Sequence, residues 1–505
     1  MNKRNISSKE WKITLFIILG VLIISQLPLI FGYLTEGPNE KFMGIPVHVT
    51  DVNNHLNWVL QAKEGHILFS NAFTYENIPS LIFNPFHLIT GLTAKITNIP
   101  IIWVYNIFSW LLIIGFGFTI YFIISYFIKD KETRLTAFLL TLLSSGFGLW
   151  WKISKLIFGK WVVSSDLWVT EMNTFQSFGQ PHFVLSTILI LWVFYFTIKS
   201  LNKSNIKFSV YAGLLLLLLT TVHLFDTITV AFIITGWFVY LQIIKQKWSW
   251  NDFSKLTIIG TITLPAIGYY FWVFFMNTAY KEWNSLNLTT TPNLIEIISG
   301  FGLIFFFSLI YIWNERKNIF KKENKQYFLV IWIVLNFILI YLPINVQRRF
   351  IMGLHIPLAI LSAIAIQKYV IPYIRKHIKI NKVTIYVLII LISSATTIYL
   401  LASQISNLHI VPDSDYGNRK YLTNEEYNAI KWLDENTNNE EIIIAPYYLS
   451  NYIPAMSGNK VYCGHWAQTI NFKEKCKQVE LFYNKTYKFN ENYYYFDKKT
   501  MEFIR

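Results

Sequence analysis

Asp51 opens a polar run, DVNNHLNWVLQAKE (51–64), that also carries His55. A carboxylate there can act as a general base or a metal ligand, since a base needs only hydrogen-bond reach to the hydroxyl it activates. Asp also caps helix N-termini well, and spacing alone does not separate the two roles. Asp166 and Glu171 lie in SSDLWVTEMNTFQSFGQPHF (164–183). Glu171 is a candidate second carboxylate, with His182 beside it as a phosphate or metal contact. The alternative is a Trp- and Phe-rich interfacial loop with solvated charges, the reading favoured for Asp166. HLFD places His223 and Asp226 within an otherwise apolar stretch, 208–244. A charge at mid-membrane costs about 2.5–3.5 kcal/mol, so the pair is either a turn at the interface or the lining of a polar cavity. NVQRRF holds Arg348 and Arg349. The planar guanidinium fork suits a phosphate, whether of a substrate or of a lipid headgroup. His465 and Trp466 sit in VYCGHWAQT (461–469), either a packed loop or part of an acceptor site.

These residues need a scaffold, and composition names its kind. Of 505 residues, 53% are hydrophobic and 14% charged, against about 25% charged in an ordinary soluble chain. This predicts a polytopic α-helical membrane protein in the lipid bilayer. The net charge of +15 lies mainly in short loops between apolar runs, and no basic patch with interleaved aromatics marks a nucleic-acid partner. With two cysteines, neither a disulfide framework nor a thiolate zinc site is available.

A helix crosses a bilayer with about 20 apolar residues. Eleven candidates meet that description: 12–34, 100–128, 135–151, 181–199, 208–223, 225–244, 255–276, 294–313, 327–344, 350–368 and 383–402, of which 135–151 and 208–223 are short. The first reads as a retained anchor. With a cytoplasmic N-terminus, the inner segments carry 23 Lys and Arg and the outer loops 9, the bias expected of a multi-pass plasma-membrane protein. Eleven spans put the C-terminus outside. The expected domains are thus a transmembrane domain, 1–402, with outer loops 35–99 and 151–180, and an extracytoplasmic α/β domain, 403–505.

Loop 35–99 is longer than a connection needs. Its 51–64 stretch has the spacing of an amphipathic helix, Val52, Leu56, Val59 and Leu60 on one face and Asp51, Asn54, His55 and Trp58 on the other. A second such helix is expected over 83–98, and both suit a membrane surface. In the tail, helices are expected at 424–436 and 472–487, and strands at 441–445, 460–464 and 493–497. Cys463 and Cys476 are spaced so that a disulfide is permitted but not required.

The words TDVNNHLNWVLQAKEGH, NTFQSFGQPHFVL, VHLFD, NVQRRFIMGLHIPLAI and NKVYCGHWAQT, in that order, resemble a group of uncharacterised prokaryotic proteins of the GT-C membrane glycosyltransferase superfamily. That superfamily includes protein O-mannosyltransferases, aminoarabinose transferases and oligosaccharyltransferases. The resemblance implies a GT-C-like fold and a glycosyltransferase, hexosyl or pentosyl, using a polyprenyl-phosphate-linked sugar at the outer face. It implies Asp51 as base or metal ligand beside the acceptor, Glu171 as the second acid, and Arg348 or Arg349 on the donor phosphate. His182, His223, Asp226, His55 and His465 are the further candidate substrate contacts. Some members carry paired acids, DE or DxD, in the first loop. Here Val52 and Asn53 follow Asp51, so the cofactor stays open, a divalent metal on Asp51 and Glu171 being the candidate. The competing reading is a transporter or flippase of a lipid-linked or anionic substrate. Such proteins tend to carry repeats, and none is visible.

Overall fold

The computed structural model describes residues 6–159, 162–202, 205–286, 289–321, 323–410 and 418–486; the expected strand at 493–497 lies outside them. Five helices are long and apolar enough to cross a membrane: Ile101–Phe127, Pro181–Asn202, Leu224–Lys245, Trp250–Met276 and Gln347–His377. Three bent pairs can each make one further crossing: Ser8–Ser25 with Leu27–Leu34 (42°), Leu294–Phe301 with Leu303–Glu315 (93°), and Lys382–Ser393 with Ala395–Ser406 (46°). Lys207–Val222 and Tyr327–Leu339 are shorter apolar helices. The count by length and composition is therefore five to eight, where the apolar runs suggested eleven. The run 135–151 is likewise divided, between Lys131–Leu143 and Gly148–Phe158. The break falls at Ser144-Ser145-Gly146, weak helix formers. A Cβ on Gly146 would lie 2.2 Å from the Ser299 carbonyl oxygen, so only glycine fits there.

The chain forms two compact units. The first takes the described parts of 1–26, 109–270 and 288–403. Its centre is the Gln347–His377 helix, 94% buried over its apolar window. IMGLHIPLAILSAIAI is apolar on every side, the pattern of a fully enclosed helix. The small residues Ala359, Ser362, Ala363 and Ala365 let neighbours approach closely, and Ser362 Oγ donates to the Ile304 carbonyl at 2.6 Å. Gly302, at φ +56°, makes the 93° bend between Phe301 and Leu303, a conformation that costs a β-carbon-bearing residue dearly. Buried Arg134 grips Glu10 with two parallel bonds, Nε to Oε1 at 2.8 Å and Nη2 to Oε2 at 2.9 Å, while the Tyr121 hydroxyl also donates to Glu10. Leaving either charge alone there would be severely destabilising.

The second unit takes the described parts of 27–108, 271–287 and 404–505. Strand Glu40–Phe42 pairs antiparallel with Tyr421–Thr423, Glu40 opposite Thr423 and Phe42 opposite Tyr421. Ile442–Ile443 pairs parallel with Lys460–Val461. Thr423, one residue before the expected helix start, caps Asn424–Asn436 in a reciprocal capping box with Glu426. The last described helix is Phe472–Thr486, and Cys476 in it is disulfide-bonded to Cys463 with Cα atoms 5.7 Å apart.

Helix Val49–Glu64 buries Val52, Leu56, Val59 and Leu60, as the spacing predicts. Burial extends beyond that face, to Asn53, Asn54 and Asn57, while Asp51, His55 and Trp58 stay partly exposed. Asn57 Nδ2 donates to the Pro454 carbonyl at 2.7 Å, which meets the demand of a buried amide. Helix Pro85–Thr97 packs on the same helix through Gly91, where a Cβ would come within 2.4 Å of Ala62 Cβ and Val59 O.

Candidate functional site

In the second unit the charged centre is Asp51. Helix Val49–Glu64 is capped by His48 in the left-handed region (φ 52°) without a side-chain cap bond, so Asp51 stands at the third helical position and is not the N-cap. There the unpaired N–H groups of the first turn favour its negative charge. His465 Nε2 lies 3.0 Å from Asp51 Oδ1. Atoms crowd the carboxyl, yet 47% of its side chain is accessible while His465 is 3% exposed. Burial pushes the pKa of Asp51 up, but the His465 hydrogen bond, with the imidazoles of His465, His48 and His55 beside it, outweighs that and holds it far below the usual carboxylate range. Asp51 is therefore ionised at any physiological pH. His55, one turn further along, stacks on His87 with centroids 5.0 Å apart and planes 5° apart. Burial, then the charge of His55, drives the pKa of His87 well below its ordinary value, so it is neutral.

In the first unit the sequence candidates gather around one short turn, Gln347–Ile351. Arg348 is anchored through its backbone N–H to the Thr289 carbonyl at 3.0 Å. Its guanidinium lies over the Trp168 ring at 5.2 Å, and that of Arg349 over Phe225 at 5.4 Å. Each ring supports a cation without consuming its donors. The Nε of both arginines is buried without a hydrogen-bond partner, and neither forms an ion pair among the described residues. Phe225 belongs to the HLFD break between Lys207–Val222 and Leu224–Lys245, where His223 is extended (φ −153°). His223 Nδ1 sits 2.9 Å from Asp226 Oδ2, and Ser186 Oγ donates to the same oxygen. The His182 ring is 6.1 Å from that of His223. Glu171, in the turn Thr170–Met172 that packs against the arginine turn, is buried and lines a cavity of about 20 Å³ with Asn173, Thr174, Thr187 and His355. That is room for about one water.

Asp166 is not the solvated loop charge that composition suggested. It is buried and accepts from the N–H groups of Gly146 (2.8 Å) and Gly148 (3.4 Å) and from Ser164 Oγ (2.5 Å). Burial nevertheless pushes its pKa up to about 6 against those donors. Its task is to pin the Ser144–Gly148 break.

Glu171, Arg348, Arg349, His182, His223 and Asp226 thus belong to the first unit, and Asp51, His55 and His465 to the second. Sequence reasoning missed Trp168, Phe225 and Ser186. Ser186 was findable, one helical turn after His182 on an apolar helix; the two rings had no signal, since tertiary packing alone sets a guanidinium over them. Among the described residues no group of three or more His, Cys, Asp or Glu is placed to hold a metal ion, and Asp51 spends one oxygen on His465.

A helical bundle of this kind, with a polar first loop joined to the chain's last domain, is the GT-C fold. The chain superposes on a crystal structure of the Archaeoglobus fulgidus oligosaccharyltransferase in complex with Zn and sulfate with TM-score 0.50 at 14% identity, over 88% of this chain and 62% of that one. Against the same enzyme tethered to an acceptor peptide containing the NVT sequon, the TM-score is 0.49 at 14% identity, over 90% and 64%. The chain therefore spans less than two thirds of the length of these structures. No family model and no curated protein matches it.

Proposed function

We propose that the chain is a membrane glycosyltransferase that moves a sugar from a polyprenyl-phosphate donor to an acceptor on the outer face of the plasma membrane, by one inverting displacement. The observation that carries this reading is the arginine pair. Two guanidiniums are braced on aromatic faces with Nε groups unpartnered and without a carboxylate. Buried donors without acceptors are costly, and an anion with several oxygens satisfies them. A phosphate carried by a membrane lipid reaches such a site from within the bilayer, as water-soluble sugar donors do not.

The acceptor's nucleophilic oxygen attacks the anomeric carbon, and the bond from that carbon to the phosphate oxygen breaks. The electron pair leaves with the phosphate, where Arg348 and Arg349 stabilise the growing charge; such fixed electrostatic stabilisation is commonly the largest catalytic term. The acceptor proton passes to Asp51. A carboxylate held at low pKa is a weak base, so Asp51 works first by orienting the acceptor's O–H and receives the proton late. Glu171, His182, His223 and Asp226 complete the donor end as a polar lining around the arginine turn.

Sidedness has support of its own. The pairing of Glu40–Phe42 with Tyr421–Thr423 requires the first loop and the tail to share a side, and the Tyr280 hydroxyl donating to the Pro79 carbonyl at 2.8 Å brings residues 277–286 there too. A return to one side takes an even number of crossings. Between residues 100 and 277 there are five apolar helices: Ile101–Phe127, Pro181–Asn202, Lys207–Val222, Leu224–Lys245 and Trp250–Met276. An even number makes the broken stretch Lys131–Leu143 plus Gly148–Phe158 the sixth crossing on this reading. With the N-terminus inside by its Lys and Arg bias, the tail is outside, where the Cys463–Cys476 disulfide persists.

The test is mass spectrometry of lipid extracts from cells with and without the gene. A polyprenyl-phosphate-linked sugar should accumulate in its absence and be consumed by the purified protein. Uptake of that lipid's headgroup into sealed vesicles without a covalent product would replace the enzyme by a transporter.

A further inference from the structure

The tail's turn Cys463–Thr469 is held rigidly against the first loop. The Thr469 hydroxyl donates to the Phe73 carbonyl at 2.6 Å and accepts from the Gly464 N–H at 3.0 Å. Asn71 Nδ2 donates to the Gln468 carbonyl at 2.7 Å, and Cys463 is tied to Cys476. Gly464 has no room for a Cβ, which would meet Val461 at 2.8 Å and Phe73 at 2.9 Å. Inside this turn the Ala467 backbone N–H donates to His465 Nδ1 at 3.0 Å. A backbone N–H can only donate, so Nδ1 carries no proton. In the neutral ring the proton is then on Nε2, the nitrogen 3.0 Å from Asp51 Oδ1. Phe73 edge-on at 6.1 Å and Trp466 stacked at 5.7 Å fix the ring plane.

We infer that His465 is a positioning residue, locked by the Ala467 N–H as the Nε2-protonated tautomer, that pins Asp51 Oδ1 and leaves Oδ2 to meet the acceptor. Oδ2 has no hydrogen-bond partner among the described residues. His465 thus acts through Asp51 and does not itself bind substrate. A carboxylate pinned at one oxygen presents the other in a single direction, and small errors in such geometry are expensive in rate. The activity arm of the test rests on the transferase reading above; the spectroscopic arm does not.

Asn and Gln divide the two bonds of this ring between them. In His465→Asn the amide oxygen can replace Nδ1 as acceptor for Ala467, but nothing reaches Asp51. In His465→Gln the amide nitrogen reaches the place of Nε2 and donates to Asp51. With the full-length protein and the lipid-linked sugar that accumulates without the gene, H465N should fold as wild type and lose about 10–100-fold in kcat, the effect of one bond to a charged group. H465Q should stay within a few-fold. Equal activity of H465N and wild type overturns the assignment, as does a folded H465Q as slow as His465→Ala. Independently of activity, 15N-histidine NMR of the wild type should show the resonance that H465Q lacks to be neutral and protonated at Nε2. Protonation at Nδ1 instead sinks the inference even if transfer is confirmed. An inactive wild type with the Nε2 tautomer would sink the transferase reading alone.

Discussion

The two charged centres of this molecule are built in opposite ways. Asp51 is already engaged: His465 holds one oxygen, and three histidines set its charge. Arg348 and Arg349 are supported from behind by Trp168 and Phe225 while their donors stay open. An engaged charge keeps its geometry with nothing bound. An unengaged pair awaits a ligand to complete its hydrogen bonding, so its cost in the empty protein becomes affinity when the ligand arrives. On the proposed reading, the preset geometry lies at the acceptor end and the binding energy at the anion end.

The largest expected effect breaks the unengaged centre. Replacing both Arg348 and Arg349 by Ala should lower transfer by about 10³-fold, and Lys at either position should restore only part of it, since an ammonium lacks the fork. Steady-state kinetics with the lipid-linked donor reads both; activity within tenfold of wild type would remove the phosphate from that turn. Next, Asp51→Asn should cost about 10²-fold in kcat and leave thermal stability nearly unchanged, because the amide oxygen still accepts from His465. A parallel collapse of the melting temperature would make Asp51 structural. Breaking the support of the engaged centre is milder. Cys463→Ser opens a link between residues 13 apart, worth about 3 kcal/mol to the tail, and should lower its melting transition under oxidising conditions while making no difference under reducing ones.

The smallest effect sharpens the comparison with a third carboxylate. Asp166 is engaged by backbone N–H groups, yet burial raises its pKa to about 6. A carboxyl raised on folding contributes stability that is complete below its unfolded value and is lost as pH rises through about 6. The melting temperature should therefore fall between about pH 4 and pH 6, by the equivalent of about 2 kcal/mol, and Asp166→Asn should flatten that slope. An unchanged slope in the variant would mean the carboxyl is ionised throughout.

Much of the bundle was legible because lipid demands long apolar runs, and Ile101–Phe127 or Leu224–Lys245 can be little else. The break inside the run 135–151 was not legible, because hydropathy does not register Ser-Ser-Gly, whose shape is imposed by Ser299 across the unit. The arginine turn was legible because Arg on the outer side defies the usual bias. The burial of helix Val49–Glu64 was not. Asn54 read as part of a wet face, and what satisfies its buried neighbour Asn57 is a carbonyl 397 residues away. His465 was visible as a candidate, but its partner at a separation of 414 residues had no local signature.

That separation has a temporal side. At about 5–20 residues per second of synthesis, the ribosome needs roughly 20 to 80 s to travel the 414 residues from Asp51 to its histidine. Throughout that interval the nascent chain owns its acid but not the clasp that aims it, and Arg348 and Arg349 arrive before the clasp does. Products that stop before His465 would lack the bond that holds Asp51 Oδ1.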